Sequence, residues 1–160
     1  MEREALNIDH TELERRIVVC YTGEPRNSGI NNWDVTKRHI DGDREIFDIF
    51  EGIRDGAIAI RSALLNGDWD RVGEILAAGH PHRRRLSPNI TTPQMDHLIE
   101  TALAYAAIAP KVLGAGGGGC IAFYCEAGRR PDVESALSQQ PGARVLDWHL
   151  DPNGLTLNVS

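Results

Sequence analysis

At 160 residues the chain has the length of one domain, or of half of a two-domain enzyme, and enough to bury a real core. Its 41% hydrophobic and 25% charged residues are those of an ordinary soluble globular protein. A net charge of −6, with bases interspersed among acids, argues against a general nucleic-acid binder, which needs a basic face to displace counterions, and weakly against a membrane surface.

No apolar run approaches the ~20 residues of a membrane span. The N-terminal stretch Met1 to Glu14 is charged and amphipathic, without the apolar core of a signal peptide. The three cysteines, Cys20, Cys120 and Cys125, are odd in number and lie in or beside apolar strand-like runs. They read as buried free thiols in a reducing cytosol, and the expected location is cytoplasmic. Cys120 and Cys125 fall on opposite faces of a strand, which argues against a zinc pair.

In chain order, the β-branched run Ile17 to Thr22 predicts a strand ending at Gly23. A polar loop from Gly23 to Asn32 follows, then a short helix from Val35 to Ile40 capped by Asp34. A long helix from about Arg44 to Leu65 is predicted by Ile46, Ile49, Phe50, Ile53, Ala57, Ile60 and Leu64, which line one face. Gly52 and Gly56 interrupt it, lowering propensity and leaving room for close packing against a neighbour. The next helix has Asp68 as N-cap and a basic end from His82 to Arg85 that offsets the helix dipole. A third has Thr92 as cap and Pro93 at its first position, and runs through Ala106 to stop before Pro110. After a glycine-rich segment come a strand from Ile121 to Cys125, a short helix from about Pro131 to Gln139, and strands at Arg144–Leu150 and Leu155–Val159. The last two strands are joined by an Asn153-Gly154 hairpin turn. The expected fold is α+β: a four-stranded, mainly antiparallel, ferredoxin-like sheet with helices on one face, plus extra helices, in a single domain.

Leu113-Gly114-Ala115-Gly116-Gly117-Gly118-Gly119-Cys120 holds five glycines in six residues. Glycine contributes no side chain to packing and costs extra backbone entropy on folding. Such a run suits close backbone approach, either of an anion to successive N–H groups or of a neighbouring loop to the main chain. It is not a Walker A loop, because no Gly-Lys-Ser/Thr ends it. Nor is it a dinucleotide fingerprint, because the expected order here is helix, glycines, strand. From the glycines alone, a permissive connector is an equal reading.

Pro110 to Cys120 resembles the third signature motif of the GHMP kinases, the superfamily of galactokinase, homoserine kinase, mevalonate kinase and phosphomevalonate kinase. Tyr21-Thr22-Gly23 followed by Arg26-x-Ser28 is similar to the opening of the second half of the heptose-phosphate kinase branch. Arg84-Arg85-Leu86-Ser87-Pro88, Ile90-Thr91-Thr92-Pro93 and Met95-Asp96-His97-Leu98 resemble that branch's segment before the glycine motif. The matches span roughly residues 15 to 125, in the family's order.

The resemblance implies an ATP-dependent phosphotransferase with a sugar or sugar phosphate as small-molecule substrate, using ATP and magnesium. Gly114, Ala115, Gly116, Gly117, Gly118 and Gly119 would lie by the nucleotide phosphates, where backbone donors suit a reaction run by positioning and electrostatics. Thr22, Arg26, Ser28 and Lys111 would lie toward the substrate. An arginine's planar fork suits a phosphorylated or hydroxyl-rich molecule, although a solvated loop charge accounts for Arg26 equally well. An exposed lysine at an element's end is the commoner reading of Lys111.

The family's N-terminal phosphate-binding loop and acidic base have no counterpart in the sequence. Asp41-Gly42-Asp43 reads as a solvated turn, and His80-Pro81-His82 as surface residues without a further ligand cluster. The chain is therefore expected to lack catalytic residues and to be inactive alone, completed by a separate N-terminal kinase half. The alternative is a stand-alone metabolite-binding module, or a self-association unit forming a homo-oligomer through its orphaned face.

Overall fold

A computed structural model describes residues 5–26 and 29–151. Its elements, in order, are α1 (His10–Arg15), β1 (Ile17–Tyr21), α2 (Gly29–Ile40), α3 (Arg44–Leu65), α4 (Trp69–Arg85), α5 (Pro93–Ala104), β2 (Ala107–Val112), β3 (Cys120–Cys125), α6 (Arg130–Ser138) and β4 (Arg144–Leu146). The strands form one antiparallel sheet in the order β2-β3-β1-β4. With α1 to α4 set aside, the chain runs β1-α5-β2-β3-α6-β4, the split-βαβ arrangement of a ferredoxin-like fold.

Three helix starts follow directly from local chemistry. The carboxylates of Asp43 and Asp68 accept from the N–H of Glu45 at 2.9 Å and of Arg71 at 3.1 Å. Thr92 Oγ1 accepts from the N–H of Met95 at 3.2 Å, with Pro93 opening the helix behind it. Each side chain satisfies an amide the helix itself cannot.

The expected order of helix, glycines and strand is corrected by β2. Helix α5 ends at Ala104, and Ala106 takes a left-handed φ of 71° that turns the chain back along the sheet. Residues Ala107–Val112 then pair with β3 from Ala107↔Cys125 to Val112↔Ile121, with a bulge between Ala107 and Ala109. Alanine-rich sequence favours a helix, but pairing with a distant strand outweighs that small preference. Pro110 fits because β2 is the outermost strand, where a missing N–H costs no ladder bond. At the other edge, β4 is only Arg144–Leu146; the expected strand at Leu155–Val159 lies outside the described residues. Helix α2 begins at Gly29, earlier than expected, and α1 was not anticipated.

The sheet buries both faces. Val18, Cys20, Ile121, Phe123 and Cys125 alternate onto one face, against Met95, Leu98 and Ala102 of α5 and Val133 and Leu137 of α6. On the other face Tyr124 and Ala109 meet Ala63 of α3 and Val72 of α4, and the Tyr124 hydroxyl donates to the Trp69 carbonyl at 2.8 Å. Burial pushes the Cys20 thiol up to about 11 and Cys125 to about 12, so both stay protonated and inert. Among the described residues no helix is long and apolar enough to cross a membrane.

Candidate functional site

The glycine run is the turn of the β2–β3 hairpin, at the sheet end where β1 leaves into the 22–26 loop. All five glycines have positive φ: 72° at Gly114, 80° at Gly116, 70° at Gly117, 111° at Gly118 and 85° at Gly119. Only glycine adopts such a succession without strain.

The loop is gripped from two sides. The N–H of Gly117 donates to the Ile90 carbonyl at 3.1 Å, and the N–H of Gly119 to the Glu24 carbonyl at 2.9 Å. The Thr22 N–H in turn donates to the Gly119 carbonyl at 2.9 Å. A Cβ on Gly118 would stand 2.5 Å from the Pro25 carbonyl oxygen, and one on Gly116 would meet the Ile90 carbonyl. The absent side chains let three chain segments lie against one another. Glu24 completes the junction by accepting from the Thr92 hydroxyl at the N-terminus of α5, where its charge suits the helix dipole.

Gly114 is the exposed corner of this loop. Arg26 lies over it, its guanidinium carbon 3.0 Å from where a Gly114 Cβ would be. Arg83 reaches the same corner from α4 and donates to the Gly114 carbonyl. Lys111 is exposed on β2, just before the loop, and shares a groove wall with Arg83. Among the described residues none of these three cations pairs with a carboxylate. Their neighbours do: Arg84 with Asp96 at 3.4 Å, Arg85 with Glu45 at 2.9 Å and Arg38 with Asp43 at 2.8 Å. In a chain of net charge −6, Arg26 and Arg83 at one corner, without a carboxylate partner among the described residues, form a local positive field.

The expected site residues are therefore distributed unevenly. Gly114 and Arg26 meet directly. Thr22 is fully buried, and its hydroxyl accepts from the Glu24 N–H at 3.4 Å, so it braces the loop from beneath. Lys111 faces the α3–α4 side, and Ser28 lies outside the described residues. Arg83 was not anticipated. The signal for it was present: Ile75, Leu76, Gly79, His80 and Arg83 recur at helical spacing on one face of α4.

His80, read as a surface residue, is half-buried. Burial, and then the charge of Arg84, hold its imidazole below the ordinary value, with Asp96 pulling the other way. The unfolded chain therefore binds this proton more readily, and the stability His80 contributes is present above about pH 6.5 and lost as pH falls below it. Urea midpoints are expected to drop between about pH 7 and pH 5, and His80→Gln to flatten that drop. The Leu150 N–H holds Glu14 low, and Arg38 does the same for Asp43. These two lose their contribution only below about pH 4.5, outside the histidine window.

The family model described as "GHMP kinases C terminal" matches residues 60–143, from within α3 to just short of β4. The chain is 24% identical over 145 residues to the D-glycero-alpha-D-manno-heptose 7-phosphate kinase of Campylobacter jejuni, covering 91% of this chain and 42% of the relative. Its fold is similar to that of L. major mevalonate kinase in complex with R-mevalonate, with a TM-score of 0.69 and 21% identity over 81% of this chain and 40% of that one. It is similar too to Streptococcus pneumoniae phosphomevalonate kinase in complex with phosphomevalonate and AMPPNP, with a TM-score of 0.66 and 20% identity over 82% of this chain and 38% of that one. The chain spans less than half the length of each of these relatives. With the family's region running through α4, α5 and the glycine hairpin, the chain belongs to the GHMP kinase C-terminal family.

Proposed function

We propose that the chain is the C-terminal part of an ATP-dependent kinase acting on a sugar or sugar phosphate, and that its glycine corner faces phosphate groups in the completed site. The observation that carries this reading is that Arg26 and Arg83 meet at Gly114, neither with a carboxylate partner among the described residues. Arginine forks suit phosphate oxygens as paired donors. These residues fit the phosphates of ATP or of a phosphorylated acceptor. They do not fit magnesium: the Glu24 carboxylate is engaged by Thr92, and among the described residues no cluster of three metal-binding side chains exists. The bound nucleotide supplies the transferred phosphoryl group; this chain's residues hold and orient oxygens.

Two loop amides, of Gly117 and Gly119, are used to lock neighbouring segments. In this reading the glycines act by fixing the loop and its cations, more than by offering a bare amide nest. Catalytic groups come from the N-terminal half of such a kinase. That half, or a second copy of the chain, covers the apolar side chains left on α2 and α3: Trp33 at 69% exposure, Ile40 at 75% and Phe47 at 43%.

The isolated chain, given ATP, magnesium and a panel of sugars and sugar phosphates, is expected to release ADP only at the background rate. Sugar-dependent turnover by the chain alone would overturn the division of labour proposed here.

A further inference from the structure

Between α3 and α4, with Pro110–Val112 of β2 as its floor, lies a groove of about 180 Å³. Its walls are aliphatic, set by Ile53 and Ile60 on α3 and Ile75 and Leu76 on α4. Gly52 and Gly56 on α3 and Gly79 on α4 border it, and a Cβ on Gly52 would meet only the His82 ring, at 3.7 Å. A Cβ on Gly79 would meet nothing within 4 Å, and one on Gly56 only the Ile75 Cγ2 at 3.9 Å. Two packed helices with glycine on facing stripes ordinarily close until their backbones touch, because unfilled apolar space forfeits dispersion contacts. Here the gap persists.

The groove is polar at one end only, where His80, Arg83 and Lys111 stand. The hydrogen-bonded partner of Arg83 is the Gly114 carbonyl, and neither it nor Lys111 has a carboxylate partner among the described residues. A sugar seated along the walls would lose water from its hydroxyls without regaining hydrogen bonds. The volume also falls below the roughly 300–1,000 Å³ of sites for drug-sized ligands.

We propose that this groove binds a short-chain amphiphilic anion: an alkyl chain along the α3–α4 walls, and a phosphate or carboxylate head between Arg83 and Lys111. Occupancy draws Arg83 toward the head group and away from the Gly114 carbonyl, so the groove reports to the glycine corner. The site is separate from the phosphate-facing corner, and Arg83 is the residue they share.

The probe is n-hexyl phosphate, titrated into the intact chain with labelled isoleucine and leucine methyls and backbone amides followed by NMR. The methyls of Ile53, Ile60, Ile75 and Leu76 are expected to shift, and affinity to rise about fourfold per methylene from butyl to hexyl phosphate. Hexanol is expected to bind at least about tenfold more weakly, since it lacks the charge-assisted hydrogen bonds of the head. Gly79→Leu fills open space on a helix, keeps the fold and is expected to abolish the shifts; Lys111→Gln is expected to weaken them about tenfold. Equal binding of hexanol, or affinity independent of chain length, overturns the proposal. So do shifts confined to the Gly114–Gly119 amides, which leave the phosphate-facing corner standing. Binding only to phosphatidic acid vesicles, with none to hexyl phosphate, identifies a membrane surface and overturns it as well.

Discussion

Gly118→Ala and Gly116→Ala are each expected to lower stability by about 3 kcal/mol, against about 1 kcal/mol for Gly128→Ala. Gly128 isolates the conformational part. Its φ is 73°, and a Cβ there meets nothing within 4 Å, so alanine pays only the strain of a left-handed residue, about 1–2 kcal/mol. Gly118 and Gly116, at 111° and 80°, carry that strain and a second cost: the new methyl runs into the Pro25 or Ile90 carbonyl. Neither obstacle is a side chain that can swing away. Relief at Gly116 requires the 87–92 segment to retreat, which breaks the bond from the Gly117 N–H to Ile90. Relief at Gly118 pushes on Pro25 and on the Glu24 carbonyl that holds the Gly119 N–H. A lost buried hydrogen bond adds about 1–3 kcal/mol. Urea denaturation of the three variants side by side checks the ordering. Equal losses at all three positions would show that left-handed strain alone accounts for the glycines, and that the tight junction has no energetic weight.

That junction also explains which parts of the molecule could be read from the sequence. The caps Asp43, Asp68 and Thr92-Pro93 were legible because a cap is a contact between residues two or three apart. The stripe Ile46 and Ile49 was legible because periodicity encodes a buried face, and both are at or below 1% exposure. Strand β2 was not legible. Ala107-Ile108-Ala109 continues a helix-favouring run, and what makes it a strand is β3, met only after the chain turns at the glycines. Pro110 carried a misleading signal: it reads as a helix stop, yet it marks an outer strand. The glycine run announced that something comes close to the backbone. That the visitors are the carbonyls of Ile90 and Pro25, contributed by segments 26 and 93 residues away in the chain, is a property of topology that no local pattern holds. Arg26 was flagged through the family resemblance and Arg83 was missed, although both arrive at Gly114. The cluster exists only because α4 runs alongside the hairpin.

Tripolyphosphate is expected to bind the intact chain at this corner, and Arg26→Gln and Arg83→Gln each to weaken it about tenfold. The magnitude rests on the accessibility of the site. Charge-assisted hydrogen bonds contribute about 1.5–3 kcal/mol, and an exposed corner stands at the low end because water and salt screen it. The informative controls are the adjacent arginines. Arg84 and Arg85 already face Asp96 and Glu45, so their charge is spent locally; Arg84→Gln and Arg85→Gln are expected to change affinity less than about twofold. Arg83→Lys is expected to recover part of the loss, since the charge returns without the planar fork. Hexyl phosphate binding separates the two uses of Arg83, because Arg26→Gln touches only the corner and leaves the groove intact. Calorimetric titration of these variants at low salt decides the matter: if Arg85→Gln costs as much as Arg26→Gln, the anion answers to the general field of a basic helix end, and Gly114 has no special claim on phosphate.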